Sequence, residues 1–190
     1  MESELTPLLD QLLTLPTLEN AKLSPDRHWV AFTWYRVHEN ADVFAVPTDG
    51  SAPPIALTRT PEYTEMVSWS PDSRSVIVRE DHDGDERARL FRVSLNAPEV
   101  LIPLTEDHPP YYLRGGSLHP DGTMLFYGMN YDVESGQEIE PTWIYRHDLK
   151  TGKRTAIGRP NRAFKAVPHL NQQATHLIYT RRGRHRVDGL

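Results

Sequence analysis

Three observations in the sequence predict an all-β fold. A Pro-Asp pair followed by a short apolar run recurs as Pro25-Asp26, Pro71-Asp72 and Pro120-Asp121, at spacings of 46 and 49 residues. Between recurrences lie several short strand-like segments and no sustained 3.6-residue periodicity. Sixteen prolines and eleven glycines punctuate the 190 residues, which disfavours long helices. A fixed period of this size with four strands per unit predicts an incomplete β-propeller of four-stranded antiparallel blades, about three and a half of them, with one short N-terminal helix. The predicted layout is a helical segment over 1–20 and a partial propeller over 21–190. Its blades fall near 21–60, 61–108, 111–160 and 163–190, the last incomplete.

The helix is predicted from Leu5, Leu8, Leu9, Leu12 and Leu13, which form one apolar stripe. Thr6 suits the N-cap, Pro7 the first helical position, and Pro16 ends the segment. Such a helix either caps the exposed side of the first blade or clasps another domain.

Each Pro-Asp pair predicts a tight turn, because proline presets φ and Asp, Ser and Gly suit the neighbouring positions. The runs that follow are Trp29–Phe32, Val76–Val78, Met124–Tyr127 and, in a degraded fourth copy, Leu177–Tyr179. They are β-branched and aromatic, and their apolar residues are consecutive rather than alternating, as in a strand covered on both faces. The fourth copy, "HLNQQATHLIYTR", is aligned by placing His169 on His119, 50 residues earlier. Further strands are predicted at 42–48, 89–95 and 142–149, then at 53–58, 99–105 and 154–158, with segments such as 66–70 leading into the turns. Thr48-Asp49-Gly50 and Lys150-Thr151-Gly152 supply the small residues that hairpin turns require. The competing arrangement is an antiparallel sandwich whose turns are alike by accident. A small closed ring of three or four blades is a further alternative.

Composition narrows the function. A formal net charge of −5 gives no electrostatic reason to expect a nucleic-acid partner. No cysteine is present, so neither a disulfide framework nor a thiolate metal site is available. The N-terminus lacks the pattern of a signal peptide and no run is long enough to span a bilayer, so a cytoplasmic location and no membrane partner are expected.

The repeated "SPD" turns with strands of the "WVAFTW" type resemble the Pro-Asp propeller repeats shared by TolB-like proteins and the prolyl oligopeptidase (S9) family of serine peptidases. "LTLPTLENAKLSPDRHWVAFTWYR" resembles the start of the propeller in bacterial S9 peptidases, and "DVFAVPTDGSAPPIALT" the rest of their first blade. "DHDGDERARLFRV" and "IEPTWIYRHDLKTGKR" are similar to later blades. The likeness runs from about residue 10 to 180. It implies a propeller that precedes an α/β-hydrolase domain carrying a Ser-Asp-His triad, and that admits short peptides while excluding folded proteins. The implied partners are that hydrolase domain and peptide substrates; the alternative is a TolB-like, non-catalytic scaffold for protein partners.

The sequence departs from the full family pattern, because nothing resembling a hydrolase domain follows the fourth repeat. The nucleophile elbow G-x-S-x-G is absent, and the two Gly-Ser pairs, Gly50-Ser51 and Gly116-Ser117, lie in turns or strand edges of the repeat. No catalytic, cofactor-binding or metal-ligating residue is assigned to this chain. In "EDHDGDE", Asp81, Asp83 and Asp85 alternate like the start of a calcium loop, but glycine falls fourth rather than sixth and Arg92 stands where a bidentate glutamate is needed. That stretch reads as a solvated hairpin. His119 reads as a hydrogen-bonded turn residue, and Trp34, Tyr35, Trp143 and Tyr145 as packing between blades. "RRGRHR" at 181–186 reads as a solvated loop, with an acidic partner or phosphate as the alternative. An incomplete ring leaves a blade face and a strand edge open, so self-association through those edges is expected unless other blades cover them.

Overall fold

The computed structural model describes residues 15, 17–35, 40–160, 167–171 and 173–179. The predicted N-terminal helix and the 181–186 arginine run lie outside these residues. The first sheet is built from β1 (Thr17–Leu23), β2 (Trp29–Tyr35), β3 (Ala41–Pro47) and β4 (Ile55–Ala56). The second contains β5 (Thr64–Trp69), β6 (Ser75–Glu80), β7 (Arg89–Ser94) and β8 (Ala97–Pro103). The third contains β9 (Leu113–Leu118), β10 (Met124–Asp132), β11 (Gln137–Asp148) and β12 (Arg154–Gly158). A final pair, β13 (Pro168–Leu170) and β14 (Leu177–Tyr179), begins a fourth sheet. Every sheet is antiparallel with its strands in sequence order, which gives three complete blades and half of another. The described residues contain no helix.

The consecutive apolar runs are the second strands of the blades, and in β6 both faces are covered, whereas Ile178 of β14 stays exposed. Successive side chains of a strand point to opposite faces. In β6, Val76 and Val78 join Val43, Ala45 and Leu57 of the first blade, whereas Ile77 joins Leu113, Leu125 and Tyr127 of the third. β7 divides in the same way, with Phe91 and Val93 on one side and Leu90 on the other. The middle blade therefore glues its neighbours together. β1, by contrast, is exposed along its whole length, with Leu18 and Leu23 open to solvent.

The Pro-Asp turns join the first and second strands of each blade and share one geometry. The N–H of Ser24, Ser70, His119 and Asn171 donates to the carbonyl five residues on, at 2.8–2.9 Å. The fourth residue of each turn takes a positive φ: Arg27 at 66°, Ser73 at 60°, Gly122 at 70° and Ala174 at 54°. This equivalence corrects the sequence alignment of the last repeat. Asn171, not His169, occupies the place of His119, and His169 lies within β13. Asn171 Oδ1 accepts the His176 N–H at 2.7 Å, doing the work that Ser24 Oγ does for the Trp29 N–H at 3.0 Å.

The third blade departs from expectation in length. Its central hairpin runs out to Asp132 and Gln137, well beyond the strand predicted at 142–149. Polar contacts replace apolar ones there. Asn130 donates to Glu138 at 2.8 Å, Tyr145 Oη donates to the Tyr131 carbonyl at 2.8 Å, and Asp132 accepts the Glu134 N–H at 3.0 Å in the turn. Elsewhere the predicted strands differ from the observed ones mainly at their ends; β4, for example, is shorter and β8 begins and ends two residues earlier.

Between the second and third blades lies a buried polar cluster. Arg154 donates through Nη1 to Glu106 Oε1 at 2.7 Å and through Nη2 to the other carboxylate oxygen. Its guanidinium carbon stands 5.8 Å from the centre of the Tyr111 ring. Tyr127 Oη lies 3.3 Å from His147 Nδ1. Burial, reinforced by the Arg154 charge, holds the His147 pKa down at about 4, with Glu106 opposing the shift.

Glycine relieves the cost of a left-handed residue, so Arg27→Gly raises stability by about 0.5–1 kcal/mol in urea denaturation. Gly115 has φ +66°, and a Cβ there would stand 2.9 Å from Val167 Cγ1. Gly115→Ala therefore lowers stability, by about 1–3 kcal/mol. For His147, the unfolded imidazole takes its proton near pH 6.5, whereas the folded one resists until about 4. The unfolded state binds more protons in that window, so stability falls as pH drops through it, by on the order of 2 kcal/mol from this residue. His147→Gln flattens the stability–pH curve between those values, read from denaturation midpoints.

Candidate binding site at the propeller axis

The first strand of each blade is the innermost, and β1, β5, β9 and β13 stand side by side around the axis. Hydrogen bonds tie them across blade boundaries. Trp69 Nε1 donates to the Lys22 carbonyl at 2.8 Å, and Ser68 Oγ donates to the Gly116 carbonyl at 2.6 Å. One strand outward, the Met66 N–H donates to Thr33 Oγ1 at 2.9 Å. The turns are linked too, since the Asp26 N–H donates to Ser73 Oγ at 3.0 Å.

At the turn end of the axis lies a cavity of about 510 Å³. Its rim is set by Pro25, Pro71 and Pro120 together with Asn171 of the fourth turn, and its wall includes Trp69 and Leu118. A second cavity of about 250 Å³ runs along the inner strands and shares Ser68, Ser117 and His169 with the first. The shared residues set the two cavities side by side, the outer bordered by Trp69, Leu118 and the turn prolines and the inner by Lys22, Glu65 and Arg79.

The interior is charged. Arg79 Nε lies 2.9 Å from Glu65 Oε1, both side chains half-buried. Lys22 belongs to the exposed β1, yet its ammonium turns inward and donates to the Val67 carbonyl. Burial of that ammonium holds its pKa below the usual lysine value, with the Glu65 carboxylate partly opposing the shift.

The rim is fixed by its aspartates. Asp121 accepts the Thr123 N–H at 2.8 Å and the Thr123 hydroxyl at 2.7 Å, and lies 3.0 Å from His119 Nδ1. Asp26 accepts the Ser24 hydroxyl at 2.6 Å and the His28 N–H at 3.0 Å; Asp72 accepts the Ser70 hydroxyl at 2.5 Å and the Arg74 N–H at 3.1 Å. The hydrogen bonds from Thr123 pull the Asp121 pKa to about 2. The Ser24 and His28 bonds lower that of Asp26, and at Asp72 the same kind of bonds outweigh the opposing effect of burial.

The residues singled out in the sequence fall as follows. His119 is a turn residue, as expected. Trp34 packs edge-on against Phe44 with ring centres 5.1 Å apart, Tyr145 is buried, and Trp143 lies under Arg159 at 4.7 Å. The acidic stretch forms the connection from β6 to β7. His82 there faces Glu62 at 3.4 Å, and Asp85 accepts the Arg87 N–H at 2.8 Å. Among the described residues no group of three or more potential ligands is arranged to hold a metal ion. Ser51 sits in a turn, whereas Ser117 lines the axis. Lys22, Glu65, Trp69, Arg79 and His169, the chemistry of the axial site, were not predicted, because they are ordinary strand residues until the ring gathers them.

These features define a class, the β-propeller, of which the chain forms a part. No model of a known protein family matches the sequence, and no curated protein matches it. Solved structures do match. A putative TolB from Agrobacterium tumefaciens is 18% identical, with 84% of this chain and 52% of that one covered and a TM-score of 0.64. The AtxE2 isopeptidase is 19% identical over 80% of this chain and 33% of its own, with a TM-score of 0.58. A prolyl endopeptidase is 15% identical over 82% of this chain and 23% of its own, with a TM-score of 0.51. At these identities the likeness is one of fold: a TolB-like propeller. The chain spans about half the length of the TolB structure and a smaller share of both peptidases.

The rim aspartates generate a pH prediction. A carboxylate whose folded pKa is depressed contributes stability above its unfolded pKa and loses it as pH falls toward the folded value. For Asp121 that window runs from the ordinary aspartate value of 3.8 down to about 2. Thermal melts should fall steeply across it, and Asp121→Asn should make the fall shallower.

Proposed function

We propose that this chain forms the N-terminal part of the propeller of an S9-type serine peptidase, where it screens peptides and packs on a catalytic α/β-hydrolase domain outside this sequence. The axial opening carries the reading. A cavity of about 510 Å³ beside a smaller polar one of about 250 Å³ suits a short extended peptide. The blade-by-blade sequence resemblance supports the same reading, as do the fold matches to an isopeptidase and a prolyl endopeptidase. In it, catalysis belongs to the hydrolase domain, and the propeller contributes selection by size and a rigid platform.

A second reading is a TolB-like scaffold that binds protein partners without catalysis. The higher TM-score and larger shared length with the TolB structure favour it. One experiment separates the two. The native protein is captured from its source cells with an antibody to the 130–140 hairpin and treated with a fluorophosphonate probe, which labels an activated serine. The peptidase reading predicts a labelled band that carries both the epitope and the probe. A captured protein that stays unlabelled while the probe labels other serine hydrolases in the same lysate supports the scaffold.

A further inference from the structure

We propose that the axis of the ring is a carboxylate-binding site for the charged end of an apolar chain. The carboxylate is taken by Lys22 and Arg79 in the inner cavity, and the apolar body lies against Trp69, Leu118 and the turn prolines at the mouth. This inference rests on neither reading of the whole protein's function.

The first argument is charge. The inner cavity is lined by two basic side chains, Lys22 and Arg79, and by one carboxylate, Glu65. Among the described residues, the one other titratable group on its wall is His169. A protein with a net charge of −5 thus keeps a local excess of positive charge at its axis. Glu65 is committed to Arg79 at 2.9 Å. Among the described residues no carboxylate lies within ion-pair reach of the Lys22 ammonium, whose protein partner there is a neutral carbonyl, that of Val67. An ammonium has three donors, so the group retains capacity for an anion.

The second argument is placement. Taking an ammonium out of water costs free energy unless an anion compensates it. Lys22 lies on the exposed β1, yet its ammonium reaches across the blade boundary to the Val67 carbonyl and lines the inner cavity. A ligand carboxylate adds to the partial compensation that Glu65 gives this ammonium. The third argument is adjacency. The inner and outer cavities share Ser68, Ser117 and His169, and the Trp69 indole is bonded to the carbonyl of Lys22 itself. The apolar wall and the cation are thereby held in one fixed relation. Such a site takes either a short peptide with a free C-terminus or a simple aliphatic acid, since both present a carboxylate on an apolar body.

The test is titration of the 190-residue chain with acetyl-alanyl-leucine, its C-terminal amide, and hexanoate, followed by calorimetry and tryptophan fluorescence. The free acid should bind, with the amide weaker by about tenfold or more. Lys22→Met should weaken the acid by a similar factor, while Lys22→Arg retains it. Glu65→Gln removes the competing internal carboxylate and should tighten binding about threefold. A gain of that kind is not produced by misfolding. Hexanoate binding as tightly as the peptide identifies a simple acid as the ligand, and much weaker hexanoate binding identifies a peptide C-terminus; either supports the site. Equal binding of acid and amide, no binding of either acid, or Glu65→Gln leaving affinity unchanged or weaker would overturn the proposal.

Discussion

A sheet that is apolar on both faces has to be covered on both, and the rest of this structure depends on that constraint. The second strands of the blades place alternate residues into two different cores, as Val76 and Val78 do on one side and Ile77 on the other. Burial of such side chains contributes roughly 1.5–3 kcal/mol each, and it requires a neighbouring blade on each flank. The middle blade has two neighbours among the described residues. The first blade has one, and its β1 remains exposed throughout. The ring axis, the alignment of the turns and the cavity between the inner strands all follow from stacking blade on blade.

Polar interactions then fix the register that apolar packing leaves loose. Side chains of one blade cap backbone groups of the next, as in Met66 N–H to Thr33 Oγ1, Trp69 Nε1 to the Lys22 carbonyl and Asp26 N–H to Ser73 Oγ. Each is worth on the order of 1 kcal/mol net, but their geometry is directional. They determine how far each inner strand stands from the axis, and so the width of the opening. The walls of the axial cavities and the cohesion of the ring therefore draw on some of the same residues, Trp69 and Lys22 among them.

Much of this was legible in the sequence. The turns are local, and Ser-Pro-Asp carries both the proline that presets φ and the side-chain acceptors that close the loop, so three copies announced themselves. The consecutive apolar runs marked the second strands of the blades, and β6 is covered on both faces as expected, but β14 leaves Ile178 open to solvent. The fourth turn was misaligned because it has lost its Pro-Asp pair: matching His169 to His119 used identity where the physical signature is a residue able to cap the N–H five positions on, which Asn171 is. The extension of the third blade's hairpin was invisible because Asn130, Asp132 and Glu138 are polar, and their pairing makes sense only once the strands face each other. The axial charges were hidden for a related reason. Lys22, Glu65 and Arg79 lie on three strands of two blades and have no characteristic spacing; only the ring brings them to one cavity.

The central claim is that cohesion comes from blades covering one another, strongest where a blade has two neighbours. Native-state amide hydrogen exchange, resolved by residue, measures it most directly. Protection should be greatest in β6, β7 and β10, and these strands should open together with a single free energy. β1 and β14 should exchange at lower cost. Protection of β1 equal to that of β6, or three blades that open independently with unrelated free energies, would contradict the account.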